Sequence, residues 1–207
     1  PNSARNEAGE ARDARLTKPF AAAWWMCFLT TAARWVDLVC AFDLSDESWG
    51  LLDARGRAFP AFYAAWIFST YAPSGSTVLK TESTVPQVRA FAVSTRTAHN
   101  VFLVNLSAQP MTATVNLTGA GELAQVRLRG VEDNTGLKAR QLATEATQQL
   151  LLPPYAVELI QFVETKPATA PTTPATGTAT KAPTHGAPAK ATTPAKAKAA
   201  PAKSTLS

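Results

Sequence analysis

The chain has 207 residues, 46% of them hydrophobic, enough for one large or two small globular units. Its formal charge of +5 is unevenly spread: Lys166, Lys181, Lys190, Lys196, Lys198 and Lys203 lie beyond Glu164, where no acid follows, and setting them aside leaves 14 basic residues against 15 acidic ones. The folded part is therefore near neutral, which excludes reading the overall charge as a nucleic-acid groove within it. No run of 18 apolar residues occurs, Phe20 to Leu29 being the longest candidate, so no membrane-spanning helix is expected. The two cysteines, Cys27 and Cys40, sit inside apolar segments rather than at a CxxC spacing, which argues against a metal site. They read as two buried thiols, with a disulfide left open.

The chain opens at Pro1 with neither an initiator Met nor a signal peptide, and the start reads as a cut. From Asp13 to Ala33, Leu16, Phe20, Trp24, Cys27, Phe28 and Thr31 recur at three- and four-residue steps and mark one face of a helix. Trp25, Met26 and Leu29 sit off that face, so the helix is apolar over most of its girth and should be covered on two sides. Val36 to Phe42 follows as a continuous apolar run, the pattern of a strand buried on both faces of a parallel sheet. After a polar loop, Phe59 to Tyr71 reads as a second helix, with Pro60 suited to its first turn and Phe62, Trp66 and Ile67 supplying apolar surface.

Helix, strand, helix is two-thirds of a repeating α/β unit. A strand buried on both faces needs hydrogen-bonding neighbours, because each unpaired buried amide or carbonyl costs roughly 1 to 3 kcal/mol. No second parallel strand with a crossover helix follows, so the neighbours are expected before Pro1 or in another chain.

Beyond Ala72 the period changes to two, with turn residues every 8 to 12 positions, as in an antiparallel sandwich. Strands are predicted at about 76 to 81, 86 to 95, 99 to 106, 111 to 118, 122 to 130, 137 to 144 and 147 to 164, the last broken by Pro153-Pro154. Ala113, Val115 and Leu117 alternate with threonines and Asn116, and Ala124, Val126 and Leu128 alternate with Gln125, Arg127 and Arg129. Val101 to Leu106 is apolar on both faces and suits a central strand. From Thr165 onward the chain is almost entirely Ala, Pro, Thr and Lys, too poor in apolar side chains to offset chain entropy, and is expected to be disordered. Its lysines carry at most weak, salt-sensitive attraction to polyanions, beside the plainer reading of a solvated linker.

The loop before the second helix holds Asp43, Ser45, Asp46, Glu47, Ser48 and Trp49 and leads through Gly50-Leu51-Leu52-Asp53 to a turn at Arg55-Gly56-Arg57. A polar and aromatic loop after a parallel barrel strand is where active-site groups sit in that fold. With residues 50 to 65, the phrase VFLVNLS at 101 to 107 and LPPYAVELIQF at 152 to 162, this order resembles the closing part of clan A glycoside hydrolases, particularly family 39 and its xylosidase- and arabinofuranosidase-like relatives. The resemblance spans about residues 13 to 164.

It implies that residues 1–72 are the last strand and helices of a (β/α)8 barrel, 73–164 an antiparallel β-sandwich and 165–207 a disordered tail. It also implies two catalytic carboxylates on barrel strands four and seven, both before Pro1, and hence no catalytic residue in this chain. Glu7 and Glu10 have no apolar strand in front of them and read as loop or helix-start residues. A sugar ring has apolar faces and a hydroxylated rim, so Asp43, Asp46 and Trp49 are the substrate-contact candidates; they also suit two turn residues and a packed indole.

The expected function is that of a C-terminal fragment of a retaining glycosidase, inactive alone, whose partners are a carbohydrate substrate and the missing N-terminal barrel. Neither cofactor nor metal is called for, and a secreted or cell-envelope setting is favoured. The alternative is a non-catalytic carbohydrate-binding or structural sandwich. Asn105-Leu106-Ser107 and Asn116-Leu117-Thr118 match the glycosylation acceptor pattern, though Asn105 also suits a strand end.

Overall fold

A computed structural model describes residues 13–41, 44, 50–132 and 136–165, leaving aside the side chain of Glu132. All of these belong to one unit, Pro1–Ala170; a second, Pro171–Ser207, lies outside the described residues, as does the expected disordered tail from Lys166 on.

A short 3-10 turn, Ala14–Thr17, leads into α1, Pro19–Ala32, and α2 follows at Pro60–Tyr71. Both helices start on proline, which fits the first turn because its missing N–H would have no partner there. Eight strands follow: β1 Thr77–Leu79, β2 Val88–Ser94, β3 Ala98–Asn105, β4 Met111–Asn116, β5 Leu123–Glu132, β6 Gly136–Leu142, β7 Thr147–Leu152 and β8 Val157–Glu164. Pro153-Pro154 separates the last two, as the sequence required, since proline cannot donate to a ladder.

All pairings are antiparallel. Six strands form one sheet in the order β1-β2-β3-β8-β5-β6, and β4 pairs with β7 in a second. The small sheet covers one face of the large one, where Ala113, Leu150 and Leu152 meet Val88, Val101, Leu103, Val126, Leu128, Ile160 and Phe162. The two helices cover part of the other face: Ala22, Met26, Ala64 and Ile67 pack on Phe91, Phe102, Val104, Val131, Val157 and Leu159. The large sheet is therefore buried from both sides at its centre. That explains why β3 reads as apolar without alternation.

Three expectations are corrected. The stripe of α1 that packs inward is Ala22, Ala23, Met26, Leu29 and Thr30, while Trp24 and Thr31 face outward and Phe28 is exposed. Small residues let a helix lie close on a sheet, so the alanines and Met26 take the innermost contact, with Trp25 packed at its edge. The run from Val36 to Ala41 forms no strand: Trp35 is 81% and Leu38 78% exposed. Among the described residues no strand edge is offered to it, and without ladder partners an apolar run has no reason to extend. Cys40 in this run is exposed and Cys27 half-buried, so the reading of two buried thiols also fails, and neither forms a disulfide.

Candidate functional site

Asp43, Asp46 and Trp49 lie outside the described residues, as do Glu7 and Glu10. The segment leading out of their loop is described and tightly built. Leu52 N–H donates to the Leu44 carbonyl and Phe59 N–H to that of Leu51, both at 2.9 Å. Between them Asp53 closes a turn: one carboxylate oxygen accepts the Arg55 and Arg57 amides at 2.9 and 2.8 Å, and the other takes Arg57 Nε at 2.6 Å. Gly56, at φ +75°, supplies the left-handed residue this turn needs. Leu51 then packs on Ala21 and Ala61, pinning the exit of the loop between the two helices.

Among the described residues, Asp53, Asp13 and Glu164 have pKa values displaced downward. Asp53 is held below the usual range first by the Arg57 amide, Asp13 by the Arg15 side chain, and Glu164 by the Gly121 amide and then His99. A general acid for glycosidic hydrolysis requires the opposite direction. These three are fitted to hold structure.

The outer surface of the helix layer is aromatic. Trp24 stacks on Phe28 at 5.8 Å and meets Trp25 edge to face at 5.6 Å. On α2, Phe62 is half-buried and Trp66 exposed. With the exposed Trp35, Val36 and Leu38, the helices and the run after α1 carry a belt of exposed large apolar side chains.

A shallow groove of about 230 Å3 lies where the end of α1 crosses β2, lined by Thr30, Thr31, Arg34, Arg89, Ala90 and Phe91. Arg89 donates to the Thr31 hydroxyl at 3.2 Å, and burial pushes the neighbouring Cys27 thiol upward against the opposing effect of Arg89.

Two buried amides hold the layers together, Asn100, which no motif singled out, and Asn105, the first residue of a glycosylation acceptor pattern. Asn100 donates to the Tyr71 carbonyl at 2.8 Å, tying the end of α2 to β3, and accepts from Gln161 at 3.2 Å. Asn105, with none of its surface exposed, donates to the carbonyls of Gln109, Pro153 and Leu152 at 2.8, 2.8 and 3.2 Å and accepts from the Ser107 amide at 2.9 Å. Its side-chain nitrogen is fully committed inside the fold. Asn105 is thus a strand-end staple rather than a glycosylation acceptor. The signal for both was an asparagine in an otherwise apolar strand.

Comparison with known proteins agrees with this architecture. The sequence profile of the D-apionate lactonase C-terminal immunoglobulin-like domain matches residues 86–160. No curated protein matches in sequence. Among solved structures, the family 30 subfamily 8 xylanase Xyn30A from Clostridium acetobutylicum aligns at 14% identity with a TM-score of 0.57, over 71% of this chain and 40% of that one. A family 30 endoxylanase from Clostridium papyrosolvens C71 aligns at 11% identity and TM-score 0.57, over 71% and 39%. An arabinose-bound family 51 α-L-arabinofuranosidase aligns at 16% and 0.56, over 71% and 28%. The chain thus spans two-fifths or less of the length of these structures. At such identities the likeness is one of fold: a mostly antiparallel sheet domain with two helices, resembling domains that glycoside hydrolases carry.

Proposed function

We propose that this chain is the C-terminal portion of a retaining glycoside hydrolase of clan A acting on a polysaccharide or oligosaccharide. The family 39 likeness of its three sequence phrases is part of that proposal. In this reading the sheet is the accessory domain, Asp43, Asp46 and Trp49 contact the sugar, and the catalytic carboxylate pair, spaced about 5 Å in a retaining enzyme, comes from a barrel encoded before Pro1. A secreted or cell-envelope setting goes with such a substrate.

The observation that carries the reading is the apolar belt on α1, α2 and the Trp35–Leu38 run, because it is a surface built to be covered. The likeness to the xylanases supports it. The docked barrel would supply the hydrogen-bonding edges that Val36 to Ala41 lacks.

The test uses the 207-residue chain alone and together with the polypeptide encoded immediately upstream. Alone, it should bind a hydrophobic dye, self-associate in light scattering and turn over no aryl glycoside. Together, dye binding should fall and hydrolysis appear. A clean, dye-silent monomer would sink the reading, leaving the helices as a self-contained cap. The second reading, a non-catalytic carbohydrate-binding sandwich, is favoured by the match to an immunoglobulin-like domain that ends before β8 does.

A further inference from the structure

The helices cover only part of their face of the large sheet, and the strand register shows what the rest of it presents. Partners across neighbouring strands share a face, so the pairings sort that face into rows. Under the helices, Arg89, Val104, Val157, Val131 and Leu137 form one row. The next is Phe91, Phe102, Leu159, Arg129 and Ala139. The third is Val93, Asn100, Gln161, Arg127 and Gln141, and its last four residues are all polar. Gln125, opposite Val163 and hydrogen-bonded to Gln141, extends the polar area.

Asn100 is buried and committed to Tyr71 and Gln161, so the open part of the row runs from Gln161 to Gln141 across two strand intervals, roughly 10 Å at the usual strand spacing, the scale of about two sugar rings. Its aromatic border is formed where α2 ends: Arg129 lies 4.8 Å over the Tyr71 ring and reaches Gln161 at 3.4 Å, while the exposed Trp66 meets Tyr71 edge to face at 6.3 Å.

Charge selects the occupant. Arg127 and Arg129 form no salt bridge among the described residues, and the acids of β8, Glu158 and Glu164, alternate onto the opposite face with Ile160 and Phe162. Two guanidinium groups flanked by glutamine side chains match carboxylates on a hydroxylated chain: arginine takes the carboxylate through paired N–H groups, and glutamine exchanges hydrogen bonds with hydroxyls.

We propose that this polar row of the large sheet is a binding surface for a carboxylate-bearing, uronate-type polysaccharide. It extends the glycan reading above to a surface of the large sheet itself and requires no hydrolysis by this chain. The two ideas therefore fail separately: binding is read in a chain expected to be inactive.

The experiment measures binding of the full 207-residue chain to polygalacturonate and to the same polymer fully methyl-esterified, by affinity electrophoresis and calorimetry at low and high salt. Wild type should retain the acid form, lose it on esterification and weaken as salt screens the charges. Arg127→Gln together with Arg129→Gln should weaken binding at least tenfold while the tail lysines stay unchanged. Gln141→Glu, at an exposed position opposite Arg127, should weaken it as well, and serves if the double variant does not fold. Equal retention of the ester, no binding at all, or full binding by a folded double or Gln141→Glu variant would each overturn the proposal; the last result would assign the attraction to the basic tail.

Discussion

Replacing Asn105 by alanine tests how much of the fold depends on one buried amide. The side chain holds the point where the chain leaves the small sheet at Leu152 and enters the large one at Val157, and it makes four hydrogen bonds there. Each contributes about 0.5 to 1.5 kcal/mol net, and its loss leaves a carbonyl or amide short of a partner. The sum is about 3 kcal/mol, and for a folded region of this size the melting temperature should fall by about 10 °C. Urea denaturation, read as a shift in midpoint at unchanged slope, measures it.

Asn105→Asp separates hydrogen bonding from packing, because it keeps the shape but loses the donors. An aspartate facing three carbonyl oxygens would have its folded pKa raised. Its stability would therefore be best preserved in acid and lost as pH rises. If Asn105→Asp at neutral pH lies within about 0.5 kcal/mol of wild type, the staple contributes little and the argument fails.

Phe102 is fully buried with its ring centroid 5.7 Å from Phe68 and 5.9 Å from Phe91, so it clamps α2 onto the sheet. Phe102→Ala should cost about 3 to 5 kcal/mol in the same denaturation assay. Glu164 closes the end of β8 against the Gly121 amide at 2.9 Å and His99 at 3.0 Å, and its pKa is lowered by the first and then the second. The resulting stability is present above the ordinary glutamate pKa and lost as pH falls through the lower folded value. Melting curves from pH 7 downward should show wild type losing its advantage over Glu164→Gln in acid, and parallel curves would refute the clasp.

What could be read from the residues divides along physical lines. Strand positions were legible because alternation such as Val126 and Leu128 against Arg127 and Arg129 is a local signal that the sheet preserves. The inward stripe of α1 was not, since a helix apolar nearly all round gives periodicity little contrast, and the packing put the alanines and Met26 innermost. Val36 to Ala41 carried a true signal of apolar character, but strandedness depends on partners that no local pattern supplies. The same limit hid the strand order and with it the polar row, which exists only because Gln161, Arg127 and Gln141 come into register across three strands. Of the candidate sugar contacts, Asp43, Asp46 and Trp49 were nominated from loop chemistry alone, and the described structure reaches only the Asp53 turn that anchors their loop.

The place of β8 in the middle of the large sheet sets a schedule for synthesis. Strands β1 to β3 and strands β5 to β6 share no ladder until the last strand enters between β3 and β5. Until Val157 to Glu164 has emerged, the nascent chain carries two separate partial sheets, each with an apolar edge open to other molecules. The risk of misassembly is thus concentrated in the interval before β8 arrives, and a chaperone or a slowed ribosome would help most there. A frameshift or stop ahead of Val157 would remove the strand that makes the two halves one sheet.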